Sequence, residues 1–549
     1  MNKNNLLKPS RQLSKRQAYL IVIGLLSLIG GIAIFYSTAN GPAGFSDSAS
    51  YIVQARNFLR GIGLGVYWPD GRFNISLAQP PFYPVLLSAI GLFGVDLVVA
   101  ARWIDILAAI LSILGCGLLF LDFSGSPALF LPAILLVAVY RPGIFLYSMA
   151  MTEALFLCLA CWSLYFLMKY LRQDRTRWLV MSALLAGWLP MIRFPGLALI
   201  AVGVVALLVF GKRAFLKRLG CTLLYLGPAS FALLVWVTCL NLFYHLTLAG
   251  IGVHPNLSEL AAHFVDFRLY VVGFVWNWIP FNTLIPIPTQ DYRSHLLLLG
   301  FLTIFLFALP FVLRCTVYRH RNALVDDQPF QLFFIAGLSL LFLLLFLLAA
   351  YLIHLVSLDD RQSLPLYVLA SISLVAIFGY LQTALFQGRR RGLQVLPWLV
   401  LTVLVVWQVP AIAPSLETLH GGFGYTTDWW RNSTTIKAVR ALPAGTPIVS
   451  NYAAAIMLWT DRPGWEILEQ IHPAFIAQTG LYGSDTTDKA QVAFREHGGV
   501  LVIFNPQFPT QMESAFGPAG TQRVSSMLNG LKVVGTYSDG TIYVFPSQP

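Results

Sequence analysis

The chain has 549 residues, of which 57% are hydrophobic and 11% are charged. Soluble proteins carry about 25% charged residues, so this composition excludes a mainly soluble protein. The net charge is +12, but the basic residues lie between apolar runs and do not gather on one polar surface, which argues against nucleic-acid binding and is typical of membrane topology.

Eleven apolar runs predict about eleven transmembrane helices. The first, near residues 18–37, follows five basic residues and has no A-x-A cleavage site after it, so we interpret it as an uncleaved first helix. Two runs, 127–141 and 178–192, are shorter than a perpendicular span requires and are expected to be tilted or broken. The other runs lie near 98–121, 144–168, 195–211, 220–244, 295–313, 331–353, 364–383 and 396–412.

The distribution of basic residues predicts the orientation. With the N-terminus in the cytoplasm, the short inner loops near 169–177, 212–218, 314–321 and 389–391 hold clusters of Lys and Arg, as the positive-inside rule requires. The long connections 38–97 and 245–294 then lie outside, where we expect interfacial helices. The sequence therefore predicts a multi-pass protein of the inner (plasma) membrane, organised around its outer face.

Polar residues return from about Pro414 onwards. Helices are predicted at 434–442 and 453–459, strands at 447–450 and 500–504, and a hairpin joins 531–537 to 541–545 across residues 538–540. None of the six cysteines lies in this region, so no disulfide framework holds it. We expect a membrane module over 1–412 and a small extracytoplasmic α/β domain over 413–549.

Acidic residues on the outer side are the first functional candidates, because ionisable groups at membrane depth are costly and default to function. Asp47 lies in GFSDSASY (residues 44–51), shortly after the first helix, and opens an amphipathic segment. Its alternative role is to cap that helix. The acids on this side are Asp47, Asp70, Asp96, Asp105, Glu153, Asp266, Asp291, Asp359 and Asp360.

Glu153 is a single carboxylate near the outer end of an apolar helix. A carboxylate in such a place must be solvated in a cavity, paired with a cation or protonated. The alternative to a functional role is a structural ion pair with Arg141 or Arg193.

Arg193 and Arg361 lie at the outer ends of predicted helices. Arginine keeps its charge in a poor solvent and binds phosphate oxygens in a bidentate manner. Both are therefore candidates for binding a phosphate, although Arg361 could instead pair locally with Asp359 or Asp360.

Several short motifs occur in an order that resembles the GT-C glycosyltransferases, most closely the protein O-mannosyltransferase and aminoarabinose-transferase-like group. The resemblance covers about residues 18–412. Its motifs are YIVQARNFLRG (51–61), PPFYP (80–84), TEALF (152–156), RFPGL (193–197) and RQSLP (361–365).

The resemblance implies the GT-C fold and an inverting transfer of a sugar from a polyprenyl-phosphate-linked donor to an acceptor hydroxyl on a protein, a lipid or a glycan. It implies that Asp47 is the general base and that Glu153 orients the acceptor or helps to hold a divalent cation. Arg193, Arg361 and Arg60 are implied to bind the donor phosphate.

The same resemblance implies a substrate pocket that contains Tyr51, Gln79, Tyr83 and His254. One departure concerns the metal. Related enzymes carry a metal-binding glutamate two residues before the Pro-Pro corner, and here that place is Ala78. His254 and Glu153 are the metal-ligand candidates that remain.

The alternative predictions are a lipid-linked oligosaccharide ligase or polymerase, a transporter, and a non-enzymatic envelope scaffold. Ligases of that type usually place their catalytic loop late in the chain. Transporters are typically built from internal repeats with matching broken helices, and the sequence has no such symmetry.

Overall fold

The computed structural model of the chain describes residues 14–75, 79–244, 260–276, 327–352, 360–384, 391–466, 492–494, 496–504, 513 and 528–546. Helices dominate up to residue 441, and a small mixed sheet follows. The helices before residue 412 are α1 (Lys15–Ser37), α2 (Ser46–Leu59), α3 (Phe82–Gly91), α4 (Leu97–Phe123), α5 (Phe130–Ala138), α6 (Arg141–Tyr147), α7 (Glu153–Gln173), α8 (Thr176–Ile192), α9 (Gly196–Phe210), α10 (Phe215–Tyr244), α11 (Leu260–Trp276), α12 (Gln328–Leu352), α13 (Ser363–Ala384) and α14 (Arg391–Gln408).

Within the described residues, seven helices are long and apolar enough to cross a membrane, and an eighth span results if α5 and α6 count as one. α5 and α6 meet at 57°, and α3, α8 and α9 are shorter apolar helices. The chain is thus a multi-pass membrane protein, as its composition indicates. The predicted run 295–313 lies outside the described residues.

The predicted run 144–168 is not one helix. α6 ends at Tyr147 and α7 begins at Glu153, because the backbone between them leaves the helix and forms a parallel bridge from Met149 to Ala43. This break has a functional consequence. It puts Glu153 at the N-terminus of a helix, where a negative charge is stabilised by the helix dipole.

The membrane part has one main hydrophobic core, formed chiefly by α4, α7, α8, α9, α12 and α13. α7 and α8 form an antiparallel hairpin whose turn contains Asp174 in the left-handed conformation (φ 51°). The connection 38–97 packs against one end of this core. It holds α2, a hairpin of β1 (Val66–Tyr67) and β2 (Phe73–Asn74), and α3, which packs on α2.

The C-terminal region contains a five-stranded sheet. Its strand order is β4-β3-β5-β7-β6, with β3 parallel to β4 and β5, and with β7 antiparallel to β5 and β6. The elements of this region are α15 (Ile412–His420), α16 (Asp428–Asn432), α17 (Thr434–Ala441), β3 (Ile448–Ser450), α18 (Ala453–Thr460), β4 (Trp465–Glu466), β5 (Val500–Phe504), β6 (Lys532–Thr536) and β7 (Gly540–Val544).

The central strand β5 has the predicted bounds and is buried along its whole length. Alternate residues pack on opposite faces: Val500 and Val502 contact the cluster under α17 and α18, whereas Leu501 and Ile503 belong to the other face. A strand buried on both faces needs a continuous apolar run, and the sequence VLVIF supplies it.

Candidate functional site

Asp47 lies in the first turn of α2. The backbone N–H of Phe45 donates to Ser48 Oγ at 3.1 Å, and α2 begins at Ser46, so Asp47 is not the capping residue and that alternative is wrong. Its carboxylate pairs with Arg361 through Oδ2 and accepts a hydrogen bond from Gln79 Nε2 at 3.1 Å through Oδ1. The Asp47 side chain is 36% exposed, so it is accessible to solvent.

Glu153 is the buried counterpart. Its side chain is 1% exposed and pairs with Arg193, which is itself 14% exposed. Of the two partners considered from the sequence, the structure therefore selects Arg193. The Arg193 guanidinium also donates from Nη2 to Gln362 Oε1 at 2.9 Å.

Gln362 connects the two ion pairs, because it follows Arg361 directly in the chain. The Asp47–Arg361 pair and the Glu153–Arg193 pair are thus linked through two consecutive residues, and we call these four charged groups with Gln362 the charged network. Two carboxylates and two guanidiniums balance its charge. The sequence motif at 361–365 included Gln362 but did not indicate its contact with Arg193.

A polar face of α2 fixes the Gln79 side chain. Gln79 Oε1 accepts hydrogen bonds from Ser50 Oγ at 2.8 Å and from Gln54 Nε2 at 2.7 Å, which leaves its amide nitrogen to donate to Asp47. We did not single out Ser50 or Gln54 from the sequence. Their spacing of three and seven residues after Asp47 places all three on one helix face and was the available signal.

Tyr51 and Tyr83 lie close to these acids. Both are buried, and their rings meet edge to face with centroids 5.4 Å apart. Burial raises the pKa of Tyr51, and the carboxylates of Asp47 and Glu153 raise it further, so the hydroxyl stays a proton donor. Burial also raises the pKa of Tyr83, as does the neighbouring Asp105, which is fully buried on α4.

A small apolar pocket lies among the helices that carry the charged network. It is small, with about 40 Å³ that water-sized molecules can occupy, and lies between α7, α8, α9, α10, α12 and α13. Its lining includes Phe156, Leu189 and Pro365. Each lies three or four residues from a charged member of the network, which is about one helical turn. The charged network and the apolar pocket are therefore about one helical turn apart.

Arg60 is not part of this network. It lies at the C-terminal end of α2 and pairs through Nη2 with Asp461 Oδ2 at 2.8 Å. The structure thus separates it from Arg193 and Arg361, and we do not carry Arg60 forward as a phosphate ligand. His254 and Ala78 lie outside the described residues.

The described residues do not suit a metal ion. Among them, no three His, Cys, Asp or Glu side chains come together, and the Glu153 carboxylate is engaged by Arg193. We therefore derive no step through a metal.

Comparison with known proteins rests on structure. No family model and no curated protein sequence matches the chain. The structure is similar to that of ArnT from Cupriavidus metallidurans bound to undecaprenyl phosphate, with a TM-score of 0.50 and 13% identity over 97% of this chain and 99% of that one. The chain has the GT-C fold.

Two further structures are similar to this chain. The Archaeoglobus fulgidus oligosaccharyltransferase in complex with Zn and sulfate has a TM-score of 0.48 and 12% identity over 96% of this chain and 74% of that one. The mycobacterial arabinofuranosyltransferase AftD has a TM-score of 0.46 and 15% identity over 98% of this chain and 42% of that one. The fold that the motifs predicted is confirmed.

Proposed function

We propose that this protein is an inverting glycosyltransferase that moves a sugar from a polyprenyl-phosphate carrier to an acceptor hydroxyl. The observation that carries the proposal is the charged network of two arginine–carboxylate pairs, which lies about one helical turn from a small apolar pocket. A lipid phosphate has the matching chemistry, since it is an anion attached to a long apolar chain.

Exposure divides the roles of the two acids. Asp47 is open to solvent, so it can contact an acceptor hydroxyl and take its proton as general base. Glu153 is buried against Arg193, so it is a positioning residue that holds this guanidinium in place. Burial and the two neighbouring carboxylates keep the Tyr51 hydroxyl protonated.

The two arginines are suited to the donor phosphate. Arg361 is 30% exposed and has five N–H donors, so it can contact a phosphate while it still faces Asp47. ArnT, the similar structure described above, was crystallised with undecaprenyl phosphate, which supports a lipid of this class.

The proposed reaction is a single displacement. The acceptor oxygen attacks C1 of the sugar from the side opposite the phosphate while its proton passes to Asp47. The bond between C1 and the phosphate oxygen breaks, and its electron pair leaves with the polyprenyl phosphate. The leaving group is already an anion, so it requires charge stabilisation by Arg361 and Arg193 rather than protonation.

A transfer assay in membranes tests the proposed base. Membranes that contain the protein are supplied with radiolabelled polyprenyl-phosphate sugars, and label in acceptor is counted for the parent and for Asp47→Asn. We expect Asp47→Asn to lower the transfer rate at least a hundredfold, in the range typical for loss of a general base.

Glu417→Gln is the matched control, because Glu417 is an exposed acid on α15 away from the network. It should transfer at the parent rate. Transfer by Asp47→Asn at the parent rate would exclude Asp47 as the base. Absence of transfer by the parent with every polyprenyl-phosphate sugar tested would contradict the proposed function.

We also infer that the network faces the outside of the cell membrane. At the other ends of α1, α4 and α7, Arg16 and Lys169 both pair with Asp122, at 3.1 and 3.0 Å. This basic end agrees with a cytoplasmic face under the positive-inside rule. A cytoplasmic N-terminus then puts Asp47 and Glu153 on the extracytoplasmic side.

A further inference from the structure

Residues 40–45 lie between two distant segments of the chain. On one side, the Ala43 N–H donates to Ser148 O at 2.7 Å and the Ala150 N–H donates to Ala43 O at 2.8 Å. Asp47 comes four residues after Ala43, and Glu153 comes four residues after Met149, its bridge partner. This pairing of backbones sets the register between the two acids.

On the other side, residues 40–45 contact the segment that leads into the C-terminal domain. Gly44 bridges to Gly424, and the Tyr425 N–H donates to Gly44 O at 2.7 Å. Asn40 Nδ2 donates to His420 O at 2.7 Å. We call the three segments 40–45, 148–150 and 420–428 the clip.

The C-terminal domain also holds the far end of α2. Asp461 pairs with both Arg56 and Arg60, and Arg56 Nη1 donates to Leu458 O at 3.0 Å. Burial would raise the pKa of Asp461, but the two guanidiniums outweigh it and lower the pKa below its ordinary value. The carboxylate therefore stays charged at neutral pH, and these ion pairs persist. Leu458 packs into the core between α2 and α3.

We propose that the C-terminal domain is a positioning element for the helix that carries Asp47. The clip holds the N-terminal end of α2 and Asp461 holds its C-terminal end, so together they set the place of Asp47 relative to Arg361 and Glu153. This inference rests on the proposed function of Asp47. A displacement of a reacting group by about 1 Å can lower a rate about a hundredfold, so such a restraint matters for the chemistry.

Gly424 offers a direct test, because its surroundings differ from those of Gly445. Both residues have positive φ, 84° and 81°. A Cβ on Gly424 would overlap the backbone of Gly44, whereas a Cβ on Gly445 would meet nothing within 4 Å. Gly424→Ala and Gly445→Ala thus share the cost of an unfavourable backbone conformation, and only the first disturbs the clip.

Transfer kinetics give the first measurement. We expect Gly424→Ala to lower kcat at least tenfold while KM for the polyprenyl-phosphate donor changes less than threefold, since the residues that line the apolar pocket belong to α7–α10, α12 and α13 and not to the clip. Gly445→Ala should keep kcat within twofold of the parent. Equal kcat values for the two variants would overturn the proposal.

Hydrogen–deuterium exchange of the full-length chain gives a measurement that does not depend on activity. Peptides that cover 40–52 and 146–156 should exchange faster in Gly424→Ala than in Gly445→Ala. In Asp461→Asn, which retains a residue that tolerates positive φ, faster exchange is expected around 56–60. Unchanged exchange in both variants would overturn the positioning role of the C-terminal domain, whether or not the parent transfers sugar. If exchange is faster in the variants but the parent transfers no sugar, the positioning role is supported and only the proposed function is contradicted.

Discussion

Asp47 and Glu153 carry the same charge in different surroundings. Asp47 is about one-third exposed, and its partner Arg361 is also the residue proposed to contact the donor phosphate. Glu153 is fully enclosed, and removal of its charge would leave Arg193 without its carboxylate. Loss of one partner of a buried pair is strongly destabilising, whereas loss of an exposed pair costs little. The two acids should therefore respond differently to neutralisation.

We predict that Glu153→Gln lowers the free energy of unfolding by roughly 3 kcal/mol, because Arg193 becomes a buried, poorly compensated charge. Asp47→Asn should lower it by less than about 1 kcal/mol. Thermal unfolding of the purified variants in detergent checks both values. A larger loss for Asp47→Asn than for Glu153→Gln would contradict the division between an accessible base and a buried positioning residue.

The turn between β6 and β7 is joined to α17 by the side chain of Asp539. Asp539 lies in the turn between β6 and β7 and accepts hydrogen bonds from the Thr435 N–H at 3.0 Å and from the Thr434 and Thr435 hydroxyls, each at 2.7 Å. It thus satisfies the N-terminal turn of α17. Burial would raise the pKa of Asp539, but hydrogen bonds from Ser433, Thr435 and Thr434 lower it below its ordinary value.

We predict that Asp539→Ala destabilises the C-terminal domain by about 1–3 kcal/mol at neutral pH, because buried donors lose their acceptor. A carboxyl whose pKa is lower in the folded state stabilises it above the unfolded pKa and loses this effect as pH falls through the folded value. The difference in free energy of unfolding between Asp539→Ala and the parent should therefore become smaller below about pH 4. Thermal unfolding of the full chain at several pH values tests this.

Asp70→Ala is the control for this prediction, because Asp70 is an exposed turn residue that pairs with Arg72. Its effect should stay within about 0.5 kcal/mol. A loss that is equal at all pH values in Asp539→Ala would show that the charge of Asp539 does not contribute.

At the scale of the whole molecule, the helices separate two charged ends. One end holds the network of Asp47, Glu153, Arg193 and Arg361, and the other holds Asp122 with its basic partners. The C-terminal domain contacts the first end through Asp461 and the clip. Both should therefore lie on the same side of the membrane.

Accessibility labelling tests this arrangement with two variants, Ala444→Cys and Arg175→Cys, at exposed positions of the C-terminal domain and of the α7–α8 turn. We expect a membrane-impermeant maleimide to label Ala444→Cys in intact spheroplasts and Arg175→Cys only after permeabilisation. The parent protein is the control, because any labelling of it comes from the natural cysteines. The reverse pattern would invert the topology and place the charged network in the cytosol.

Local patterns in the sequence determined the membrane class, the helical architecture and the buried strand at 500–504, because hydrophobic runs and periodicity express the environment of each segment directly. The ordered motifs also predicted the GT-C fold, and the structural similarity confirms it. The tertiary structure alone decided which charges meet. Arg361 pairs with Asp47, which is 314 residues away in the sequence, and Arg60 forms its ion pair with Asp461. Such pairings depend on how the helices pack, and so does the break before Glu153, where a backbone bridge to Ala43 overrides an apolar run that reads as continuous helix.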